Sequence, residues 1–167
     1  TSSSGTVINA RTKEDTAVLV DYATEAHLLS SGTYNLSATD GITEIMHHIP
    51  LSGLEPDTIY HYRLVYGDTA TEDYHFRTFP LSGPFTFVVY GDTQDQLPNF
   101  SQYDRYKLVA DAVAAEPDVA FILSLGDQVN DGTDLTNWAR YFDVSRNLFA
   151  KTTSYPLLGN HEKNSSL

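Results

Sequence analysis

The chain has 167 residues, a length that fits one ordinary domain or two small ones. Hydrophobic residues make up 41% of it and charged residues 19%, which is enough apolar material for a core and excludes a wholly disordered chain. The formal charge of −12 disfavours nucleic acid and anionic membrane surfaces as partners. Cysteine is absent, which excludes disulfides, thiolate metal sites and a cysteine nucleophile. No apolar run is long enough to predict a membrane span.

The chain up to about Pro80 is predicted to form strands. Its runs are short, rich in Val, Ile, Thr and Tyr, and alternate in polarity between turns that contain Gly and Asp. Six or seven such strands in about 80 residues predict an antiparallel β-sandwich. The predicted strands are 7–12, 16–22, 33–37, 43–49, 59–66 and 74–79.

One turn in this half is more specific. Residues 51–62, which include the sequence Leu-Glu-Pro-Asp-Thr-Ile-Tyr ending at Tyr60, resemble the turn before a late strand of fibronectin type III-like domains. In that family a tyrosine hydroxyl bonds back to the backbone of the turn. We therefore predict a fibronectin type III-like sandwich over residues 1–80, followed by a linker at 81–84.

After the linker the pattern changes to strands alternating with helices. The apolar run 85–90 is typical of a strand covered on both faces, and 119–125 is a second one. A helix over 102–116 separates them, and a helix capped by Thr133 or Asp134 leads to a third strand at 155–158. This β-α-β-α-β order predicts a parallel sheet with helices on its faces. The predicted apolar face of the second helix comprises Leu135, Trp138, Tyr141, Phe142, Ser145, Leu148 and Phe149.

Each predicted strand of this half runs into a glycine followed by polar residues. These motifs are Gly-Asp-Thr-Gln at 91–94, Gly-Asp-Gln-Val-Asn-Asp-Gly at 126–132 and Gly-Asn-His-Glu at 159–162. Glycine permits a sharp turn, and ligand sites in open α/β sheets lie beyond the carboxyl ends of the strands. Two carboxylates, an amide oxygen and an imidazole therefore converge at one edge, a donor set that suits divalent metals.

The three motifs, in this order and spacing, resemble those of the calcineurin-like metallophosphoesterases, and the preceding sandwich resembles the purple acid phosphatase-like branch. The resemblance implies a sandwich followed by the first β-α-β-α-β half of an α/β metallophosphoesterase domain. It also implies hydrolysis of a phosphate ester at a dinuclear centre with two divalent metal ions, for which Zn, Mn and Fe are the candidates. An extracytoplasmic or secreted location follows from the same resemblance.

The resemblance implies a role for each motif residue. Asp92 would bind the first metal, Asp127 would bridge both metals, and the side-chain oxygen of Asn160 would bind the second. His161 would be catalytic, donating to a phosphate oxygen or protonating the leaving alkoxide.

Several positions depart from the family pattern or lie beside the ligands. Asn130 stands where purple acid phosphatases proper carry the tyrosine that binds ferric iron, which argues against ferric-tyrosinate chemistry. Gln94 replaces a histidine found in many relatives, and it either hydrogen-bonds to the ligands or only shapes the turn. Asp131 and Glu162 are further candidates for supporting the ligands, although Asp131 and Asp95 are better interpreted as turn or helix-entry residues.

Histidine is scarce where the family needs it. The family supplies about three metal-binding histidines after the third motif, whereas no histidine follows Glu162. His47 and His48 are adjacent on a strand and face opposite ways, so we interpret them as solvated strand residues. We therefore expect residues 85–167 to be the N-terminal half of a catalytic domain, truncated at Leu167. The missing C-terminal half would be the partner that completes it, and the 167 residues alone would be inactive.

Two other functions stay open from the sequence. The sandwich could dock a protein or glycan as a non-catalytic binding module, with a degenerate phosphoesterase remnant attached. Alternatively, the chain could pair with a separately encoded C-terminal half. Histidines at strand ends downstream in the gene would favour the enzyme over the binding module.

Overall fold

The computed structural model describes residues 1–163 and divides the chain into two compact units, Thr1–Gly83 and Pro84–Leu167. The division falls inside the segment 81–84. Within residues 1–163, the helices are too short or too polar to cross a lipid bilayer.

The first unit consists of antiparallel strands and one short helix. In chain order these are β1 (Gly5–Ala17), β2 (Leu19–Thr24), α1 (Glu25–Ser31), β3 (Leu36–Ala38), β4 (Thr43–Ser52), β5 (Ile59–Tyr66), β6 (Thr69–Ala70) and β7 (Tyr74–Arg77). Strand β1 pairs with β4 in one sheet. The other sheet has the order β3-β2-β5-β6, with β7 also paired to β5.

The core of this unit joins both sheets. Val20 from one sheet and Ile49 from the other are both fully buried in a single apolar cluster, as expected for a sandwich. Tyr60 packs its ring into this cluster, and its hydroxyl accepts a hydrogen bond from the backbone N–H of Glu55 at 2.9 Å. This is the geometry of a tyrosine corner.

Helix α1 is absent from the sequence-based prediction. Thr24 caps its start by accepting a hydrogen bond from the N–H of His27, and Gly32 ends it with a left-handed φ of 72°. The helix has only seven residues and none of them is buried. Its sequence therefore has no apolar face repeated over several turns, which is the signal by which helices are recognised. The predicted strand 16–22 is also divided, because Thr16 and Ala17 belong to β1 and pair with β4.

The prediction that His47 is solvated is wrong. Strand β4 buries alternate residues, and His47 lies on the same buried face as Ile49 and is itself fully buried. Its Nδ1 lies 3.0 Å from a carboxylate oxygen of Asp40, and its Nε2 lies 3.0 Å from the carbonyl oxygen of Glu44. His48 faces the other way and is exposed.

The second unit has the predicted β-α-β-α-β order. Its elements are β8 (Thr86–Tyr90), α2 (Tyr106–Ala115), β9 (Val119–Ser124), α3 (Leu135–Phe149) and β10 (Thr153–Pro156). The strands pair in parallel in the order β10-β9-β8. Together with the first unit, this confirms the predicted architecture, a β-sandwich followed by a β-α-β-α-β unit with a parallel sheet.

Helices cover one face of this parallel sheet. Ile122 of β9 is fully buried among residues that include Tyr106 and Ala110 of α2 and Tyr141 of α3. The other face carries Phe87, which is 46% exposed and stacks on Phe121 with ring centroids 5.1 Å apart. The apolar run 85–90 is typical of a strand covered on both faces, and within residues 1–163 it is covered on one.

Helix boundaries also differ from the prediction. Helix α2 begins at Tyr106 instead of Gln102, because the preceding residues form turns that bury the Gln102 side chain. Asp134, not Thr133, is the N-cap of α3, and its side chain accepts a hydrogen bond from the N–H of Thr136. Leu135 and Phe142 are exposed and lie outside the apolar face of α3.

Candidate metal centre

The three polar motifs lie at the carboxyl edge of the parallel sheet. The N–H of Asp92 in the first motif donates to the carbonyl oxygen of Gly126 in the second, at 3.1 Å. In turn, the N–H of Gly132 at the end of the second motif donates to the carbonyl oxygen of His161 in the third, at 3.2 Å. The sheet therefore brings together the three segments that the sequence marked as the site.

Both motif aspartates adopt the left-handed backbone conformation. The φ angles are 55° at Asp92 and 54° at Asp127, next to 103° at Gly126. The sequence placed the sharp turns at the three motif glycines, but Gly91 and Gly159 do not have a positive φ. Left-handed conformations are uncommon outside glycine, although aspartate tolerates them better than most residues, and such strain is concentrated at functional sites.

The motif glycines instead permit close packing. A Cβ placed on Gly126 would lie 2.6 Å from the Cα of Gly159, and a Cβ placed on Gly159 would overlap the carboxylate of Asp127. The missing side chains therefore let the third motif approach the second until its backbone touches Asp127. A side chain at either position would push the two loops apart.

Asp127 is the residue on which all three motifs converge. Its carbonyl oxygen accepts a hydrogen bond from the N–H of Gln94 at 3.1 Å. Its Oδ1 accepts one from the N–H of His161 at 3.1 Å, and its own N–H donates to Oε2 of Glu162 at 2.9 Å. The first and third motifs thus hold the backbone of Asp127, and the N–H of His161 holds its half-buried carboxylate.

Glu162 is only 2% exposed, and its carboxylate acts as a structural acceptor. Oε2 accepts from the N–H groups of Asp127 and Gly159 at 2.9 and 2.8 Å, and Oε1 accepts from the N–H of Val129 at 3.0 Å. One negative charge therefore meets three backbone dipoles inside the protein, which offsets the cost of burying it.

The imidazole of His161 is partly exposed and has a defined orientation. Its Nδ1 lies 2.7 Å from the carbonyl oxygen of Asn130, which can only accept a hydrogen bond. Nδ1 must therefore carry the hydrogen, and this leaves Nε2 as the nitrogen available to a ligand. Asn130, which occupies the position of the family's tyrosine, thus contributes its backbone to the site.

Gln94 and Asp131 have different surroundings. The Gln94 side chain is half-buried, and its Oε1 is buried without a hydrogen-bond partner among residues 1–163. Asp131 is exposed, and its Oδ1 accepts hydrogen bonds from the hydroxyl and N–H of Thr133 at 2.7 and 2.8 Å. These bonds hold the pKa of Asp131 below its ordinary value, as expected for a turn residue.

The donor atoms fit a divalent metal in kind. Asp92 and Asn160 are exposed, so with Asp127 they present two carboxylates and an amide oxygen to solvent at one edge. Among residues 1–163, however, no three His, Cys, Asp or Glu side chains lie close enough together to hold a metal ion. The described residues therefore place three side-chain oxygen donors at this edge without forming a complete metal-binding group.

Two functional candidates escaped the sequence analysis, Gln102 and Gln128. Both are at most 2% exposed. The Gln102 side chain joins the first two motifs by bonds to Thr93 and Gln128, and the Gln128 side chain bonds to Ser124 and Leu157 just before the second and third motifs. Glutamine in a loop ordinarily indicates a solvated surface, so composition and spacing give no signal for this role.

Comparison with known proteins assigns both units to a family. Residues 1–78 match the family model of the purple acid phosphatase N-terminal domain, and residues 85–167 match that of the calcineurin-like phosphoesterases. Purple acid phosphatase 15 of Arabidopsis thaliana is 33% identical over 110 residues, which are 61% of this chain and 18% of that protein. A phosphoenolpyruvate phosphatase of Allium cepa is 31% identical over 142 residues, 81% of this chain and 28% of that protein.

Solved structures show the same fold. A purple acid phosphatase from yellow lupin (Lupinus luteus) superposes with a TM-score of 0.73 at 14% identity, covering 97% of this chain and 34% of that one. PhoD gives a TM-score of 0.70 at 16% identity, covering 96% and 37%. The chain thus spans less than a third of the curated relatives that it matches. With both units matched, it belongs to the purple acid phosphatase-like metallophosphoesterases and carries their N-terminal domain.

Proposed function

We propose that this chain supplies the first three ligand motifs of a dinuclear metal centre that hydrolyses phosphate esters. Asp92 would hold the first metal, Asp127 would be shared by both, and the side-chain oxygen of Asn160 would hold the second. The observation that carries the proposal is the position of Asp127, which receives hydrogen bonds from both neighbouring motifs. A ligand shared by two metals needs such a fixed position.

When bound, two divalent cations would act as Lewis acids on the phosphoryl group and supply the nucleophilic oxygen. Oxygen donors from this chain, completed by the histidine nitrogens that the family resemblance implies, favour Zn, Mn or Fe(II) as the metal. Among the chain's own residues, His161 would orient the phosphate and donate a hydrogen bond to it. Because Nδ1 of His161 donates to the Asn130 carbonyl oxygen, Nε2 is the nitrogen that faces a ligand, and in the imidazolium form of the ring it donates to a phosphate oxygen or to the leaving alkoxide.

The remaining ligands belong to the C-terminal half of the catalytic domain in this proposal. Residues 85–167 form its N-terminal half, residues 1–80 form a fibronectin type III-like sandwich, and the 167 residues alone are inactive. The incomplete donor set within residues 1–163 supports this view, as does the small share of its relatives that the chain spans. The hydrogen bond of Tyr60 supports the fibronectin-like assignment, and the family resemblance supports an extracytoplasmic location.

The test is Asp127→Asn in the full-length protein, assayed with a phosphate ester. Asparagine tolerates the left-handed backbone, so the fold should persist while the bridging charge is lost. We expect turnover to fall by roughly a thousandfold.

Asp118→Asn is the matched control, because Asp118 also has a left-handed φ, of 58°, and lies outside the three motifs. It should retain wild-type turnover. A loss of less than tenfold in Asp127→Asn would contradict the bridging role.

A further inference from the structure

Gln102 lies in the loop between β8 and α2 and is 2% exposed. Its side-chain Nε2 donates to the carbonyl oxygen of Thr93 at 2.9 Å and to the carbonyl oxygen of Gln128 at 2.6 Å. Thr93 directly follows Asp92, and Gln128 directly follows Asp127. One buried amide group therefore bridges the backbones of the two loops that present the aspartates.

The chemistry of the amide suits this bridge. A side-chain NH2 group has two hydrogens, and each has one carbonyl acceptor here. The opposite orientation of the amide would place its oxygen against two carbonyl oxygens, so the acceptors themselves determine which way Gln102 points. The Thr93 hydroxyl adds a weaker bond to the same Gln128 carbonyl at 3.3 Å.

Gln102 is itself held in place. Its N–H donates to Oδ1 of Asp95 at 2.6 Å, and the other carboxylate oxygen of Asp95 pairs with the guanidinium of Arg140 in α3. Its carbonyl oxygen accepts from the N–H of Lys107 at 2.9 Å, at the start of α2. The bridge is thus anchored to both helices that cover the sheet.

We propose that Gln102 is a positioning residue that sets the separation between Asp92 and Asp127. This inference rests on the proposed function for its link to metal binding. The hydrogen bonds by which Gln102 joins the two loops do not depend on metal, and hydrogen exchange can test them in its absence.

The first test is hydrogen exchange in Gln102→Met, which keeps an unbranched side chain of similar length without the donors. The N–H of Gln94, which bonds to the Asp127 carbonyl oxygen across the two loops, should exchange at least about tenfold faster. Amides within β8 and β9 should keep their exchange rates. A general loss of stability in Gln102→Met would instead accelerate exchange of the strand amides and of the Gln94 N–H alike. Gln96→Met, at an exposed position of the same loop, is the matched control and should change neither group.

A second measurement uses only the wild-type protein, so it tests the bridge even if Gln102→Met fails to fold. In the wild-type protein, the side-chain amide protons of Gln102 should exchange at least about tenfold more slowly than those of exposed Gln96. Equal rates, or an unchanged Gln94 N–H in Gln102→Met, would overturn the bridge.

The third measurement is the affinity of the full-length protein for Mn²⁺, determined by titration. Gln102→Met should weaken it by about 10–100-fold, whereas Gln96→Met should leave it unchanged. Wild-type affinity in Gln102→Met would overturn the positioning role. A wild-type protein that binds none of Mn²⁺, Zn²⁺ and Fe²⁺ would overturn both the proposed function and the positioning of metal ligands. The exchange rates would still decide whether Gln102 joins the loops.

Discussion

The carboxylate of Glu162 accepts a hydrogen bond from the backbone N–H of Asp127 at 2.9 Å, across a chain separation of 35 residues. Through the same oxygen it accepts from Gly159, two residues before His161. Glu162, the last residue of the third motif, therefore orients Asp127 of the second motif. Motifs that look like independent strand ends in the sequence form one hydrogen-bonded unit.

Glu162→Gln should lower the free energy of unfolding of the second unit by about 1–3 kcal/mol, because an amide NH2 group would face a backbone N–H that now has an acceptor. Chemical denaturation measures this loss. Glu116→Gln, at an exposed position, is the control and should change stability little. Equal stabilities of the two variants would show that the Glu162 bonds contribute nothing net.

Gly159→Ala should displace the Asp127 carboxylate, because the added methyl group would overlap it. We expect a loss of roughly 1–3 kcal/mol in unfolding free energy, together with weaker Mn²⁺ binding by the full-length protein. At Gly91 an added Cβ would meet the Cβ of Leu125 at 3.2 Å, a contact that a small shift relieves. Gly91→Ala should therefore have the smaller effect on both measurements, and the reverse order would contradict the close packing at Gly159.

The sequence predicted the order of elements in the second unit and the three motifs, because apolar runs and Gly-Asp turns are local signals. It could not predict how the motifs bind one another. The bonds from Glu162 to Val129 and from Gln102 to Thr93 depend on buried polar groups that appear only after the strands pair. The sequence also predicts that His47 is solvated. Its burial depends on the carboxylate of Asp40, which lies seven residues earlier outside strand β4, and no local pattern indicates that the two side chains pair.

Tyr60→Phe should destabilise the first unit by about 1 kcal/mol, because it leaves the N–H of Glu55 without its acceptor while preserving the buried ring. Thermal or chemical unfolding of the chain detects this change. Tyr66→Phe is the matched control, since Tyr66 ends the same strand β5 and is 37% exposed. If both variants unfold like the wild type, the Tyr60 hydroxyl has no stabilising role.

Alkaline pH should destabilise the first unit through Tyr34. Burial, reinforced by the hydrogen bond that its hydroxyl donates to Asp73 at 2.6 Å, raises the pKa of Tyr34 from 10.0 to about 12. A pKa raised by folding gives stability that is fully present below the unfolded pKa and is lost as pH rises through the folded one. The free energy of unfolding should therefore fall between pH 10 and pH 12, and it should fall less steeply in Tyr34→Phe than in the wild type. Denaturation at several pH values gives the two slopes, and absorbance at the tyrosinate band follows the titration. Identical slopes would mean that Tyr34 titrates alike in the folded and unfolded chains.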